Sequence, residues 1–238
     1  MKHRIYTKDF ILTLILRTVG NFMILSSLFF IGKTFYQPVR EEVRYLYDQQ
    51  SNKTYVVAAP GEEQKIKREF SIEAQKGSLS QAAKDAKLEV LVPVDPNFSI
   101  VIPKIAANSV VIPNVSVSDK DAYLTALQSG VAQAEGTAFP GEGGHIFMFA
   151  HSTDYIWNVG TYNAVFYLLY KLEKGDEINI FYKGQRYVYK VTDKEVVDPT
   201  EVEYLTRKTD REFLTLQTCW PPGTTLKRQL IFAERVSE

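Results

Sequence analysis

The chain has 238 residues, 45% of them apolar, which suits one ordinary globular domain with appendages. Its 28 basic and 28 acidic side chains balance. This argues against a general nucleic-acid-binding protein, which usually carries a basic face. The single cysteine excludes an intramolecular disulfide, and three histidines are too few for a rich metal site. We therefore predict a protein with no metal, no cofactor and no nucleic-acid partner.

The first informative segment is the apolar run over residues 10–31, FILTLILRTVGNFMILSSLFFI. At about 1.5 Å per residue in a helix, this run is long enough to cross a hydrocarbon core of about 30 Å. Arg17 lies near its N-terminal end, from where a long side chain can reach the membrane interface. A cleaved signal peptide is the alternative, but no small-residue cleavage site follows promptly. The run predicts an uncleaved transmembrane anchor.

The charges around this run predict its orientation. Lys2, Arg4 and Lys8 precede it, whereas the charges that follow it are mixed in sign. Positive residues favour the cytoplasmic side, so residues 1–9 are expected to form a cytoplasmic tail. The predicted location is a single-pass protein of the cell membrane, held in the lipid bilayer, with everything after residue 31 outside the cytoplasm.

Residues 32–97 are expected to form an extracytoplasmic stalk or linker. The segment is rich in charge and Gln, holds a Pro60-Gly61 break and lacks a sustained strand pattern. Within it, residues 66–91 have a helix-forming composition, which Gly77 weakens.

From residue 98 onward the chain consists of short strand-like runs separated by turn residues, and residues 98–238 are predicted to form one domain. Residues 119–128 are the one clear helix, with an acidic first turn. Lys183-Gly184-Gln185 is typical of a hairpin turn. Many short strands with few helices predict a mainly β fold, a closed or nearly closed β-barrel with one or two short helices. The predicted strands are residues 99–105, 109–112, 145–150, 177–182, 186–192, 213–218 and 229–234.

Cys219 carries the strongest chemical signal. A lone cysteine is more often a small buried hydrophobe than a nucleophile. This one, however, ends a strand-like run shortly before Pro221, and strand exits commonly carry catalytic side chains. Arg228 begins the next predicted strand, so antiparallel pairing would place it opposite Cys219, where a guanidinium could stabilise an oxyanion or a thiolate. From spacing alone, Arg228 is equally well explained as half of a solvated basic pair with Lys227.

A cysteine nucleophile needs a proton partner, and His145 and His151 are the candidates in this region. They bracket one predicted strand, and at about 3.3 Å per residue they lie roughly 20 Å apart, so they cannot serve one centre. His151 stands at the C-terminal end of its strand, as Cys219 does, and parallel pairing would bring the two together. His145 follows two glycines and is expected to be an ordinary surface histidine. Zinc is disfavoured, because His151 and Cys219 supply only two ligands.

Several segments in order resemble the motifs of the sortase family. They are Ile102-Pro103-Lys104-Ile105, Gly136 to Gly141, Ala150-His151-Ser152, residues 166–178, residues 187–191, and Thr215 to Cys219 followed by Arg228. Residues 98–238 are therefore similar to a sortase catalytic domain. The resemblance implies a closed eight-stranded sortase-type β-barrel, and it favours a functional Arg228.

The resemblance also implies a function, that of a cysteine transpeptidase with His151, Cys219 and Arg228 as its catalytic residues. Such an enzyme cleaves a Leu-Pro-x-Thr-Gly-like sorting signal through a thioacyl-enzyme and passes the acyl group to an amine. The expected partners are surface proteins or pilins with a C-terminal sorting signal, and an amine on a cell-wall precursor or pilin. Trp220 is expected to wall the substrate groove, although a packing role explains it equally well. The alternatives are a cysteine peptidase and a catalytically silent, membrane-tethered binding module.

Overall fold

The computed structural model describes residues 8–76, 87–152 and 164–236. The chain divides into two compact units, Met1–Glu42 and Val43–Glu238. In the first unit, the helix is long and apolar enough over Lys8–Lys33 to cross a membrane, which is compatible with single-pass anchoring. Beyond this apolar segment, the helix continues through Pro38 and ends at Gln50.

The described residues form three α-helices, ten strands and two 3-10 helices. The α-helices are α1 (Lys8–Gln50), α2 (Glu63–Lys76) and α3 (Lys120–Ser129). The strands are β1 (Lys53–Val57), β2 (Lys87–Leu91), β3 (Phe98–Ile102), β4 (Ala107–Val115), β5 (Val131–Ala134), β6 (His145–Phe149), β7 (Glu177–Tyr182), β8 (Gln185–Val197), β9 (Phe213–Trp220) and β10 (Lys227–Arg235). Two 3-10 helices are formed by Pro103–Ile105 and Leu169–Lys171.

Eight of the strands close into a barrel, as predicted. Their order is β10-β8-β7-β3-β4-β5-β6-β9, and β9 pairs with β10 to complete the ring. The pairs β4–β5 and β6–β9 are parallel, and the others are antiparallel. Seven of the eight strands were expected from the sequence. β5 was missed because its sequence, VAQA, has a single β-branched residue and two alanines, which are depleted in strands.

The barrel interior is filled by aliphatic side chains that point inward at alternate positions. Ile146 and Met148 of β6 and Leu214 and Leu216 of β9 are fully buried, as the alternation of strand side chains requires. The helix predicted at residues 119–128 is α3, whose N-terminus is capped by Asp119. The Asp119 carboxylate accepts hydrogen bonds from the backbone N–H groups of Asp121 and Ala122, both 3.0 Å long.

The predicted stalk contains two short strands, although its sequence lacks a sustained strand pattern. β1 and β2 pair in parallel over five residues each. Val57 of β1 packs with Val101 and Phe181 on the outside of the barrel. The helix expected over residues 66–91 ends at Lys76, residues 77–86 lie outside the described part of the chain, and residues 87–91 form β2.

A side-chain network holds this small sheet against the barrel. The guanidinium of Arg186 donates to the backbone carbonyl of Val57 (3.1 Å), to Asn179 Oδ1 (2.7 Å) and to Glu177 Oε1 (3.0 Å). All five residues of β3 are buried. Its inward-facing side chains pack in the barrel core, and Val101 packs against Val57 of the β1–β2 sheet. Strands buried on both faces read as continuous apolar runs, which explains why the Phe98–Ile102 sequence does not alternate.

Candidate active site

Strand pairing brings Cys219 and Arg228 directly opposite each other. β9 and β10 are antiparallel, and Arg228 is the register partner of Cys219, as predicted. Directly opposed residues of an antiparallel pair project to the same face with Cβ atoms about 4.5–5.5 Å apart. β9 does not end at the cysteine, since Trp220 still pairs with Lys227 before the chain reaches Pro221.

His151 reaches the same place from the other side of β9. β6 and β9 are parallel, and their last register pair is Phe149 with Gln217. Two further residues along each strand place His151 next to Cys219. Both of these residues line one cavity together with Arg228, so the three predicted side chains meet at a single site.

Two hydrogen bonds hold the chain in place immediately before His151. The backbone N–H of Ala150 donates to the carbonyl of Gln217 (3.1 Å), and the hydroxyl of Thr218 donates to the carbonyl of Ala150 (2.9 Å). Thr218 is 4% exposed, so this bond is shielded from water. Thr218 was not expected from the sequence to hold this part of the chain. A hydroxyl next to Cys219, on the opposite face of the strand, is the signal that could have revealed it.

Arg228 is oriented by backbone carbonyls. Its Nη1 atom donates to the carbonyl oxygens of Thr225 and Lys227, each at 3.1 Å. Both acceptors belong to the β9–β10 connection and the start of β10. The guanidinium therefore has a fixed side toward the loop, and its remaining N–H groups are available to a ligand in the cavity.

The cavity has a volume of about 390 Å³, and its walls combine apolar and polar side chains. One wall is the α3 face that carries Tyr123, Leu124 and Leu127, and the floor includes Phe147 and Phe149 of β6. The other wall is the segment after β8, which contributes Pro199, Glu201, Val202, Tyr204 and Leu205.

The thiol of Cys219 is half-buried, and its electrostatic environment has two opposed effects. Burial raises the pKa of Cys219, because a thiolate loses hydration in the cavity wall, whereas the positive charge of Arg228 lowers it. Burial is the larger effect, so the free site favours the neutral thiol. A thiolate at Cys219 consequently needs a nearby base or cation.

Trp220 lies on the other side of β9 from the thiol. Successive strand residues point to opposite faces, and Trp220 is absent from the residues that line the cavity within the described part of the chain. Its ring centroid lies 5.2 Å from that of Tyr170, near the 3-10 helix Leu169–Lys171. This contact corresponds to the packing alternative, and a substrate-binding role for Trp220 stays a prediction.

His145 is not a surface histidine, and that expectation is wrong. It is 6% exposed, and its Nε2 atom forms a 2.8 Å hydrogen bond with the hydroxyl of Thr215. The centroid of its ring lies 5.9 Å from that of Phe147 and 6.0 Å from that of Phe213. Burial, with a smaller contribution from Arg207, lowers the pKa of His145 to about 4. His145 and His151 lie at opposite ends of β6, as predicted.

The site offers chemistry that needs no metal-binding cluster. Within residues 8–76, 87–152 and 164–236, no group of three or more His, Cys, Asp or Glu side chains is placed to hold a metal ion. A thiol, an imidazole and a guanidinium at one cavity can supply a nucleophile, a proton carrier and a hydrogen-bond donor to an oxyanion. These are the components that acyl transfer through a cysteine requires.

The fold and the site define a sortase, and the chain belongs to the sortase family. The family model described as the sortase domain matches residues 100–236, which is more than half of the chain. The match contains the whole of β6, β9 and β10, and it includes all three residues of the candidate site.

Individual relatives carry the same family name. The chain is 29% identical over 139 residues to sortase D of Bacillus subtilis (strain 168), a match that covers 57% of this chain and 62% of that protein. It therefore spans less than two thirds of that relative. Sortase C-1 from Actinomyces oris is similar in structure, with 31% identity, a TM-score of 0.50 and coverage of 61% of this chain and 76% of that one. The Group B Streptococcus Pilus Island 1 sortase C2 has 25% identity and a TM-score of 0.50, with coverage of 67% and 81%.

Proposed function

We propose that this chain is a membrane-anchored cysteine transpeptidase in which Cys219 is the nucleophile, His151 the general acid and base, and Arg228 the oxyanion donor. The single observation that supports this assignment best is the meeting of the three side chains at one cavity, through the registers of β6, β9 and β10. The apolar helix Lys8–Lys33 serves as the anchor, with its N-terminus in the cytoplasm.

In the first step the Cys219 thiolate attacks the carbonyl carbon of the threonine in a Leu-Pro-x-Thr-Gly-like signal. The developing oxyanion accepts hydrogen bonds from Arg228, whose position is fixed by the carbonyls of Thr225 and Lys227. The carbon–nitrogen bond to glycine then breaks, and protonated His151 gives its proton to the departing amine. The products of this step are a thioacyl-enzyme and a free glycine amine.

In the second step an amine replaces the thiol. The amine nitrogen attacks the thioester carbonyl, His151 accepts the proton, and the carbon–sulfur bond breaks to release Cys219 as a thiolate. The amine belongs to a cell-wall precursor or to a pilin lysine, and the donors are surface proteins or pilins with a C-terminal sorting signal. The apolar walls formed by α3 and the segment after β8 suit the leucine and proline of such a signal.

The experiment that tests this proposal combines a peptide carrying the signal with a simple amine such as triglycine. Mass spectrometry of the quenched reaction should detect an acyl adduct on Cys219 and a ligated peptide. The Cys219→Ala variant should yield neither, with a thermal melt close to that of the parent protein. Lost stability with retained activity in Cys219→Ala would contradict a nucleophilic role.

Two alternatives give different products in the same experiment. A cysteine peptidase would form the same adduct but release the carboxylic acid at an unchanged rate when triglycine is added. A silent binding module would form no adduct, although it could retain the peptide. Ligated product that increases with triglycine concentration supports the transpeptidase over both.

A further inference from the structure

A short segment, residues 164–172, contacts the chain beside both strands of the site, and we call it the support segment. Phe166, Leu169 and Leu172 within it are fully buried in the barrel core, so the segment is firmly packed. The backbone N–H of Phe166 donates to the carbonyl of His151 over 3.4 Å. The backbone position of His151 therefore depends on this segment.

The support segment also contacts the residue that follows the cysteine. The ring centroid of Tyr170 lies 5.2 Å from that of Trp220, with the two planes at 53°. Aromatic pairs at this separation attract each other beyond simple burial of their surfaces. Because Trp220 directly follows Cys219 in β9, a displaced Trp220 ring would move the backbone that carries the thiol. One packed segment thus supports the chain beside both His151 and Cys219.

The end of the support segment is fixed to strand β8. The ammonium of Lys194 donates to the carbonyl of Tyr170 (3.1 Å) and to the carbonyl of Leu172 (3.0 Å). These acceptors lie at the end of the 3-10 helix Leu169–Lys171, where backbone carbonyls lack partners within the helix. A positive charge at this end is also favourable for the helix dipole.

A second cation joins the support segment to helix α1. The ammonium of Lys171 lies 4.8 Å from the centre of the Tyr170 ring and 5.2 Å from the centre of the Tyr45 ring. A cation within about 6 Å of a ring centre is attracted to the face of the ring. Tyr45 belongs to the part of α1 that lies in the same compact unit as the barrel. Lys171 therefore bridges two elements of one unit.

This end of α1 is docked on the barrel. The guanidinium of Arg44 donates to the carbonyl of Ile105 over 3.0 Å. Asp48 is 8% exposed and accepts a 2.8 Å hydrogen bond from the hydroxyl of Tyr55. Tyr45 itself packs against the side chains of the barrel core. The ring that receives the ammonium is therefore held in place.

We propose that Lys171 is a positioning residue of the active site. Its ammonium fixes the support segment to the docked end of α1, and the segment supports the backbone beside His151 and Cys219. This inference rests on the proposed function, because a positioning role requires a reaction at these two residues. Within the described part of the chain, neither Lys171 nor Tyr45 lines the active-site cavity. Loss of the link should therefore lower kcat and leave the KM of the peptide unchanged.

Neutral and charged replacements of Lys171 in the full-length protein test the proposal. Lys171→Met removes the cation and should lower kcat for peptide ligation roughly 3- to 30-fold, the scale of a lost cation–π contact. Lys171→Arg keeps the cation and should retain most of the turnover. Lys183→Met is the matched control, because it removes a cation 4.8 Å from the Tyr182 ring at the β7–β8 turn. This control should keep the parental kcat.

Variants of Tyr45 test whether Lys171 acts through α1. Tyr45→Leu removes the ring and should lower kcat by a similar factor, whereas Tyr45→Phe keeps the ring face and should retain most of the turnover. If the two residues form one link, the double variant Lys171→Met/Tyr45→Leu should be no slower than the slower single variant. Losses that multiply would mean independent effects and would overturn the link.

The fluorescence of Trp220 gives a readout that needs no turnover. The chain has two tryptophans, so Trp157→Phe leaves Trp220 as the reporter. In this background Lys171→Met should shift the emission to longer wavelength, because the Trp220 ring loses its fixed contact with Tyr170 and meets more water. Lys183→Met should leave the emission unchanged.

The remaining outcomes separate this proposal from the proposed function. A wild-type chain that ligates no peptide would contradict the proposed function, and the emission shift in Lys171→Met would still support the route of contacts to Trp220. A parental kcat in Lys171→Met would overturn the positioning role, whatever the spectrum shows. A reduced kcat without an emission shift would overturn the route through Trp220. Equal losses in Lys171→Met and Lys183→Met would mean general destabilisation instead of positioning.

Discussion

The buried hydroxyl of Thr218 provides a sharp test of how the site is held together. Thr218 donates to the carbonyl of Ala150, the residue that precedes His151, over 2.9 Å. Thr218→Val keeps the shape of the side chain but removes the donor. An unsatisfied buried acceptor costs about 1–3 kcal/mol, and the added buried methyl group returns about 0.8 kcal/mol. We expect a net loss of about 1–2 kcal/mol, which lowers the melting temperature by roughly 2–8 °C in a chain of this size.

The same change should reach the chemistry, because the bond fixes the backbone that carries His151. A displacement of about 1 Å at a reacting group can cost on the order of 10²-fold in rate, so we expect kcat for peptide ligation to fall about 10- to 100-fold. Thr218→Ser, which keeps the hydroxyl, should retain most of the turnover. A Thr218→Val variant with reduced stability but parental kcat would refute the positioning role. An unchanged melting temperature would refute the hydrogen bond itself.

Two further predictions concern the titration of Cys219 and of His145. Arg228→Ala removes the cation that opposes the effect of burial on the pKa of Cys219, so the pH midpoint of thiol alkylation should move upward. Arg228→Lys keeps the charge, so its midpoint should stay closer to that of the parent protein. If oriented donors matter, Arg228→Lys should nevertheless lose about 10²–10³-fold in turnover. A parental rate in Arg228→Lys would mean that a generic positive charge suffices. The lowered pKa of His145 means that its contribution to stability is fully present above about pH 6.5. On the order of 3 kcal/mol is lost as the pH falls through 4, since the unfolded chain takes up the proton first. His145→Gln should weaken this pH dependence with turnover near that of the parent, and an unaltered pH profile of melting would count against the buried neutral imidazole.

Much of the geometry of the site could be predicted from strand patterns in the sequence. The register of Cys219 with Arg228 follows from two strands on either side of one short loop, and the place of His151 follows from its position at a strand exit. The three side chains of α3 that line the cavity show their shared face in the helical spacing of residues 119–128. Local patterns of this kind predict which face a residue takes, because the periods of helices and strands are fixed.

The features that were missed depend on contacts between distant segments. His145 was expected at the surface because two glycines precede it, but burial is decided by Phe213, which is far away in the sequence. The charge and Gln content of residues 32–97 suggested a stalk or linker. The parallel pairing of β1 with β2 joins residues on either side of α2, and no local period reports such a partner.

The small β1–β2 sheet has a consequence for where a truncated form of the protein can begin. Val101 and Phe181 are at most 1% exposed, and Val57 is among the residues that cover them. A fragment that starts at residue 98 would keep all eight barrel strands, yet it would present these two side chains to water and leave Arg186 without the carbonyl of Val57. Exposed apolar patches of this type promote aggregation. The shortest well-behaved fragment therefore begins before Lys53, well ahead of the first barrel strand.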